Sequence, residues 1–230
     1  MTRGELRADM VLRASAWGTT PYSTDTARNE LINKRLFTWT ARTRCLYDQA
    51  ITLTHGNSAG PFSLADSTKW TLSAGGAAKL IEVCEVYVDG NLTDRDDKAN
   101  LSTRYGSISS ADGVWTVPND GTIKFSFTPT ADNTIVVGAY HHQPAIATTS
   151  GDDSVALRMP DEMLEDFSKW CFLGYIEHTA TSGDLLEKYR EIRSECEAAI
   201  AGWRRRMDQY PMIGQRRQTT MKTCATRWWK

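Results

Sequence analysis

The sequence predicts an α+β protein. A helical bundle is formed by an N-terminal helix pair and a C-terminal αα-hairpin, with an antiparallel β region inserted between them and an extended tail at the end. Three observations carry this. Apolar residues recur at helical spacing at both ends of the chain, alternate with period two in the middle, and lose all periodicity after Met207. The expected boundaries are 1–48 for the N-terminal helices, 49–145 for the β domain, 146–210 for the hairpin that completes the bundle, and 211–230 for the tail.

The first helix is expected over Leu6 to Ala16, broken by "WGTTPYSTD". Ser23, Thr24 or Asp25 then caps a second helix, because a short side-chain oxygen can accept the free N–H groups of a first turn. On it Ile32, Leu36, Trp39, Thr43 and Leu46 form one face. From about Gln49 the period changes. "AITLTH" alternates, "KLIEVCEVYVDG" is rich in β-formers, and "GTIKFSFTP" places Ile123, Phe125 and Phe127 on one face. "NTIVVGAYHHQP" is a last strand, ended by Pro144, which has no N–H to donate to a ladder. Asp-Gly pairs at Asp89-Gly90, Asp112-Gly113 and Asp120-Gly121 are read as tight hairpin turns, since glycine tolerates positive φ.

A polar loop leads to Met159-Pro160, where proline suits a helix start. The helix that follows contains "KWCFLGYIEH", apolar on most sides and so expected to be buried. "ATSGD" turns the chain into a last helix from about Asp184 to Met207. Its stripe is Leu185, Tyr189, Ile192, Cys196, Ala199, Trp203 and Met207. Pro211 and Gly214 end it.

With 40% hydrophobic and 24% charged residues, the chain can bury a sizeable core. Five cysteines without a CxxC pair suggest reduced thiols rather than a disulfide framework or a zinc site. The charged N-terminus is not a signal peptide, and no apolar run reaches the roughly 20 residues that span a bilayer. A soluble protein made in the cytoplasm, with no membrane partner, is the expectation.

Catalytic patterns are missing. There is no phosphate-binding glycine loop, no HExxH and no GxSxG. His141-His142, with Asp152 and Asp153 a loop away, is the nearest approach to a metal or acid–base set. Adjacent strand residues face opposite ways, so the pair reads as a strand end. No catalytic, cofactor-binding or metal-binding residue is expected, and the protein is not expected to be an enzyme. Trp115 beside Tyr105 could suggest a carbohydrate platform, but packing across a hairpin explains it better.

Charge is the feature that composition leaves unexplained. The net charge is only −1, yet from Arg204 to the C-terminus eight cations face one acid, Asp208. The triplet Arg204, Arg205 and Arg206 is a candidate interface or channel element. Beyond it lies "QRRQTTMKTCATRWWK", carrying Arg216, Arg217, Lys222, Arg227, Trp228, Trp229 and Lys230 with no acid. Earlier in the chain, Asp152, Asp153, Asp161, Glu162, Glu165 and Asp166 fall within fifteen residues and make an acidic stretch. Such a split points to a surface that meets a partner of opposite charge.

Two stretches carry a family resemblance. One is "KLIEVCEVYVDGNL" after a helical N-terminus. The other runs from "TIVVGAYHHQPAI" through "SVALRMPDEMLEDF" to "GDLLEKYREIRSECEAAIAGWRRR". In order and spacing of elements, the chain from about Leu6 to Met207 resembles the head-to-tail adaptor proteins of tailed bacteriophages, the connectors under the portal. The "HHQPAIATTSG" loop and the long β insertion depart from the simplest members. The resemblance implies a structural virion protein in the neck, assembled in the host cytoplasm as a homo-oligomeric ring of about twelve copies. It implies contacts with the portal protein and with tail, nozzle or other neck proteins. Double-stranded DNA would pass through the ring without sequence-specific binding. The basic, aromatic tail would then be an arm that docks on the portal. Two alternatives stay open: another neck component, such as a stopper or tail-tube-side protein, and an unrelated β-sandwich module that binds carbohydrate or DNA.

Overall fold

The computed structural model describes residues 1–18, 22, 24–96, 113–117, 121–144, 146, 154–180 and 183–209. It is a mixed α+β structure with four helices and largely antiparallel sheets among those residues. The chain divides into two compact units. One comprises residues 1–45 and 145–230, the other residues 46–144.

The first unit is helical. α1 spans Arg3–Ala16 and starts a turn earlier than the apolar pattern suggests. The reason is a capping box. The Glu5 N–H donates to Thr2 Oγ1 at 3.2 Å, and the Thr2 N–H donates to Glu5 Oε2 at 2.7 Å. Leu6, Met10 and Ala14, four residues apart, are fully buried. α2 spans Asp25–Thr43, and its cap is Thr24, whose hydroxyl accepts the Ala27 N–H at 3.3 Å. Ile32, Leu36, Trp39 and Thr43 are buried as the stripe requires. Leu46 is not on the helix: Arg44 takes a left-handed conformation, φ 54°, and ends it one turn sooner.

α3, Asp161–Ile176, packs against all three other helices. That is why its sequence is apolar all round. Phe167, Cys171 and Tyr175 on it are each wholly buried. α4, Gly183–Gln209, buries Cys196, Ile200, Trp203 and Met207. Leu185, Tyr189, Ile192 and Ala199 of the expected stripe are only half-buried. Trp39 joins α2 to α3. Its ring meets Phe167 edge-on at 5.6 Å, and its Nε1–H points to the Met163 sulfur at 3.3 Å. Trp17 meets Phe172 edge-on at 5.1 Å.

The second unit holds nine short strands: β1 (Tyr47–Leu53), β2 (Phe62–Ser63), β3 (Trp70–Thr71), β4 (Leu80–Val88), β5 (Asn91–Leu92), β6 (Asp94–Arg95), β7 (Val114–Thr116), β8 (Thr122–Phe125) and β9 (Ile135–His141). One sheet has the order β3-β1-β9-β4-β5 and the other β2-β8-β7-β6. All described pairings are antiparallel except β6 with β7. β9 lies between β1 and β4, and its side chains are buried on both faces of the sheet, which explains its nearly unbroken apolar run. A single cluster of buried side chains draws on both sheets, including Ile51, Trp70, Val86 and Val137 with Trp115, Ile123, Phe125 and Phe127.

Two of the three Asp-Gly pairs fall at least partly among the described residues with positive φ at glycine. At Asp89-Gly90 both residues have positive φ, 51° and 81°, the backbone that a two-residue hairpin with right-handed twist needs. Gly121 also has positive φ. Gly113 does not, so positive φ is not the reason for glycine there, and Asp112 lies outside the described residues. What glycine supplies at 113 is space, because a Cβ would lie 2.2 Å from Cδ1 of Phe127. That ring is buried and packs on Phe125 at 5.4 Å, so it cannot swing away. Gly113→Ala is expected to cost about 1–3 kcal/mol by overpacking, read as a lower urea midpoint.

Strand β1 carries a bulge between Asp48 and Ile51. Asp48 holds it: its carboxylate accepts the Ala50 N–H at 2.9 Å and both the Ser73 N–H and hydroxyl at 2.8 Å. Burial pushes this carboxyl up, but those hydrogen bonds and the nearby His141 outweigh it, so its pKa is lowered. A lowered carboxyl stabilises the fold above its unfolded pKa, and the contribution is lost as pH falls through the lowered value. Asp48→Asn is therefore expected to flatten the acid limb of a stability-against-pH curve, starting from the ordinary carboxylate range near pH 4.

Candidate functional site

Arg204, Arg205 and Arg206 lie in the last turns of α4. Arg205 and Arg206 are exposed and Arg204 is half-buried. The Arg206 guanidinium lies over the Trp203 ring at 4.6 Å, and Arg205 Nε donates to the Ala201 carbonyl at 3.3 Å. Three cations here also suit the negative end of the helix dipole. The Trp203 indole N–H donates to Asp166 Oδ2 at 2.7 Å. This bond places the end of α4 beside the first turns of α3. Those turns carry Asp161, Glu162 and Glu165, all exposed, where an acid suits the positive end of a dipole. An anionic and a cationic patch thus share one end of the α3–α4 pair. Sequence reading found the two charge runs but not the Trp203–Asp166 bond that brings them to one level.

Arg216, Arg217, Lys222, Arg227, Trp228, Trp229 and Lys230 lie outside the described residues, as do Asp152, Asp153 and Tyr105.

The helical unit is tied by a clasp that the sequence did not suggest. Arg35 and Arg42, two turns apart on α2, both stack on Trp170 of α3, at 4.7 and 5.6 Å. Arg35 also pairs with Glu177 at 2.8 Å, and Arg42 grips Glu197 of α4 with both terminal nitrogens. The hydrogen bond from Arg42 holds the Glu197 carboxyl below its ordinary pKa. Gly174 makes this possible, since a Cβ there would lie 2.2 Å from Arg35 Nε. The signal in the sequence was a glycine inside an apolar helix.

His141 and His55 bond the backbone. His141 is buried, and its Nδ1–H donates to the His142 carbonyl at 2.8 Å. A carbonyl cannot donate, so that nitrogen carries the proton. His55 Nδ1 accepts the Asn57 N–H at 3.1 Å, which leaves Nε2–H to donate to the Asn133 carbonyl at 3.0 Å. Cys45, Cys171 and Cys196 are buried, and burial pushes all three thiols up, that of Cys196 to about 11. They stay protonated and act as small core residues. Trp115 is 1% exposed and donates its N–H to the Thr93 carbonyl at 3.3 Å, so it offers no flat platform to a sugar.

Among the described residues, no group of three or more His, Cys, Asp or Glu side chains is placed to hold a metal ion, and no helix is long and apolar enough to cross a membrane. No protein-family model matches the chain, and no curated protein matches it.

Proposed function

We propose that the chain is a structural head-to-tail adaptor of a tailed bacteriophage. In this reading the four helices form a bundle with α3 and α4 as its hairpin. Identical copies, about twelve, close into a ring between portal and tail, and DNA passes through without sequence-specific contacts. The C-terminal residues form an arm that docks on the portal. The chain would sit in the virion neck, next to tail or nozzle proteins, and would not act as an enzyme.

The observation that carries this reading is the pairing of opposite charges at one end of α3–α4. A ring of identical subunits needs heterologous contacts, in which two different patches of one chain meet on successive copies. Rotation about an axis does not change height along it. Complementary patches must therefore lie at one level if the ring is to close rather than climb into a helix. Exposed Asp161, Glu162 and Glu165 at the level of exposed Arg205 and Arg206 meet that condition when the helices run along the axis. The rigid clasp around Trp170 supports the same reading, because ring geometry depends on a body that does not deform.

Electron microscopy of the full chain mixed with its portal protein tests the proposal. The expected result is a second ring stacked coaxially on the portal. A chain that stays monomeric and does not bind the portal overturns it.

A further inference from the structure

We infer that, in the unassembled chain, the C-terminal segment 215–230 lies on the acidic end of its own helical unit and blocks the patch that the next copy must reach. Portal binding removes the segment and so permits ring closure. This rests on the ring reading and names the regulation of its acidic patch.

The acidic end lacks local counter-charge. From Ser154 to Asp166 the chain carries Asp161, Glu162, Glu165 and Asp166 against one cation, Arg158. Among the described residues Asp161 and Glu162 form no ion pair, and Glu165 meets only Lys169, loosely, at 3.7 Å. Arg205 and Arg206 are turned to their own helix, one on the Ala201 carbonyl and the other over Trp203. The same end exposes apolar side chains. The segments that precede α1 and α3 are paired: Thr2 bridges Ala156, the Arg3 N–H donates to the Val155 carbonyl at 3.1 Å, and the Leu157 N–H donates to the Met1 carbonyl at 3.2 Å. On them Met1 and Val155 are 40% and 38% exposed. Apolar surface thus lies beside unpaired carboxylates, all within the helical unit.

Charge and reach select the occupant. Residues 215–230 carry five cations, no acid and the adjacent Trp228 and Trp229, the complement of this face in both respects. The Trp203–Asp166 bond holds the end of α4 at the face, and Gln209 lies six residues further on, about 9 Å of helix. From Gln209 to Trp228 the chain advances nineteen residues, which reach up to about 65 Å when extended. The segment is therefore tethered beside the face at an effective concentration on the order of millimolar. A neighbour's Arg205 and Arg206 must come from free solution, so the tethered segment outcompetes them until the portal takes its tryptophans.

Photocrosslinking of the full chain without portal tests the contact. p-Benzoylphenylalanine replaces Ala225, and the protein is mixed with an isotope-labelled copy, irradiated and mapped by mass spectrometry. Adducts within one copy, on Met1 or residues 154–165, are the expected result. Adducts elsewhere, adducts only between copies, or none at all overturn the contact. Asp161→Asn with Glu162→Gln is expected to cut the adduct yield about fivefold or more, and an unchanged yield overturns the role of charge. Ring closure is read by analytical ultracentrifugation. The chain lacking 215–230 is expected to form rings without portal at a concentration about tenfold or more below that needed by the full chain. If both need the same concentration while the full chain still forms rings on the portal, the inhibition is overturned and the ring reading stands. If neither protein forms rings with or without portal, both fall.

Discussion

Trp39→Ala is expected to remove about 3–5 kcal/mol of unfolding free energy, the range for truncating a buried aromatic side chain. Trp39 is fully buried in the helical unit, edge-on to Phe167 and with its indole N–H directed at the Met163 sulfur. Alanine leaves a void between α2 and α3, because the clasp around Trp170 keeps those helices from closing on it. Chemical denaturation followed at 222 nm reads the helical unit. Trp39→Phe should lose much less, since it keeps the edge contact and most of the volume. If Trp39→Ala and Trp39→Phe shift the midpoint equally, the loss comes from the weak N–H···S contact rather than from packing, and the account of this core is wrong.

The helical stripe through Trp39 was legible because a single period sorts side chains inward or outward before any tertiary contact exists. The same held for Ile123, Phe125 and Phe127, whose alternation placed them on one buried face. What escaped was information held in three dimensions. The start of α1 depends on a reciprocal pair of hydrogen bonds between Thr2 and Glu5, which an apolar pattern does not register. Leu46 continued the spacing of α2, yet a left-handed Arg44 removed it from the helix. Gly113 looked like a turn residue from its neighbour Asp112, but its role is set by the Phe127 ring, fourteen positions away. For the candidate site, the arginine triplet could be read directly. Its level relative to the acidic start of α3 could not, because that follows from a single Trp203–Asp166 hydrogen bond.

Deleting residues 215–230 is expected to abolish portal binding and to leave the helical and β units folded, with an unchanged circular-dichroism spectrum and melt. The deleted segment carries two adjacent tryptophans and five cations without an acid. Tryptophan is the side chain most often found to dominate an interface when it fills an apolar pocket, at about 2 kcal/mol or more each. Trp228→Ala combined with Trp229→Ala should therefore weaken portal binding by roughly a thousandfold, about 4 kcal/mol. A protein partner and a nucleic-acid partner predict different salt responses. Docking through tryptophan pockets leaves most of the affinity intact as salt rises, because apolar burial is not screened. Phosphate binding through five cations would instead give a logarithmic salt slope of about −4 to −5, with little effect of the two tryptophan substitutions. Arg205→Glu with Arg206→Glu provides the control, since those residues are assigned to contacts between copies and not to the portal. That variant should lose rings and keep portal affinity per chain. Should the 215–230 deletion bind the portal as tightly as the full chain, the arm has no docking role, and the charge split at this end of the sequence needs another cause.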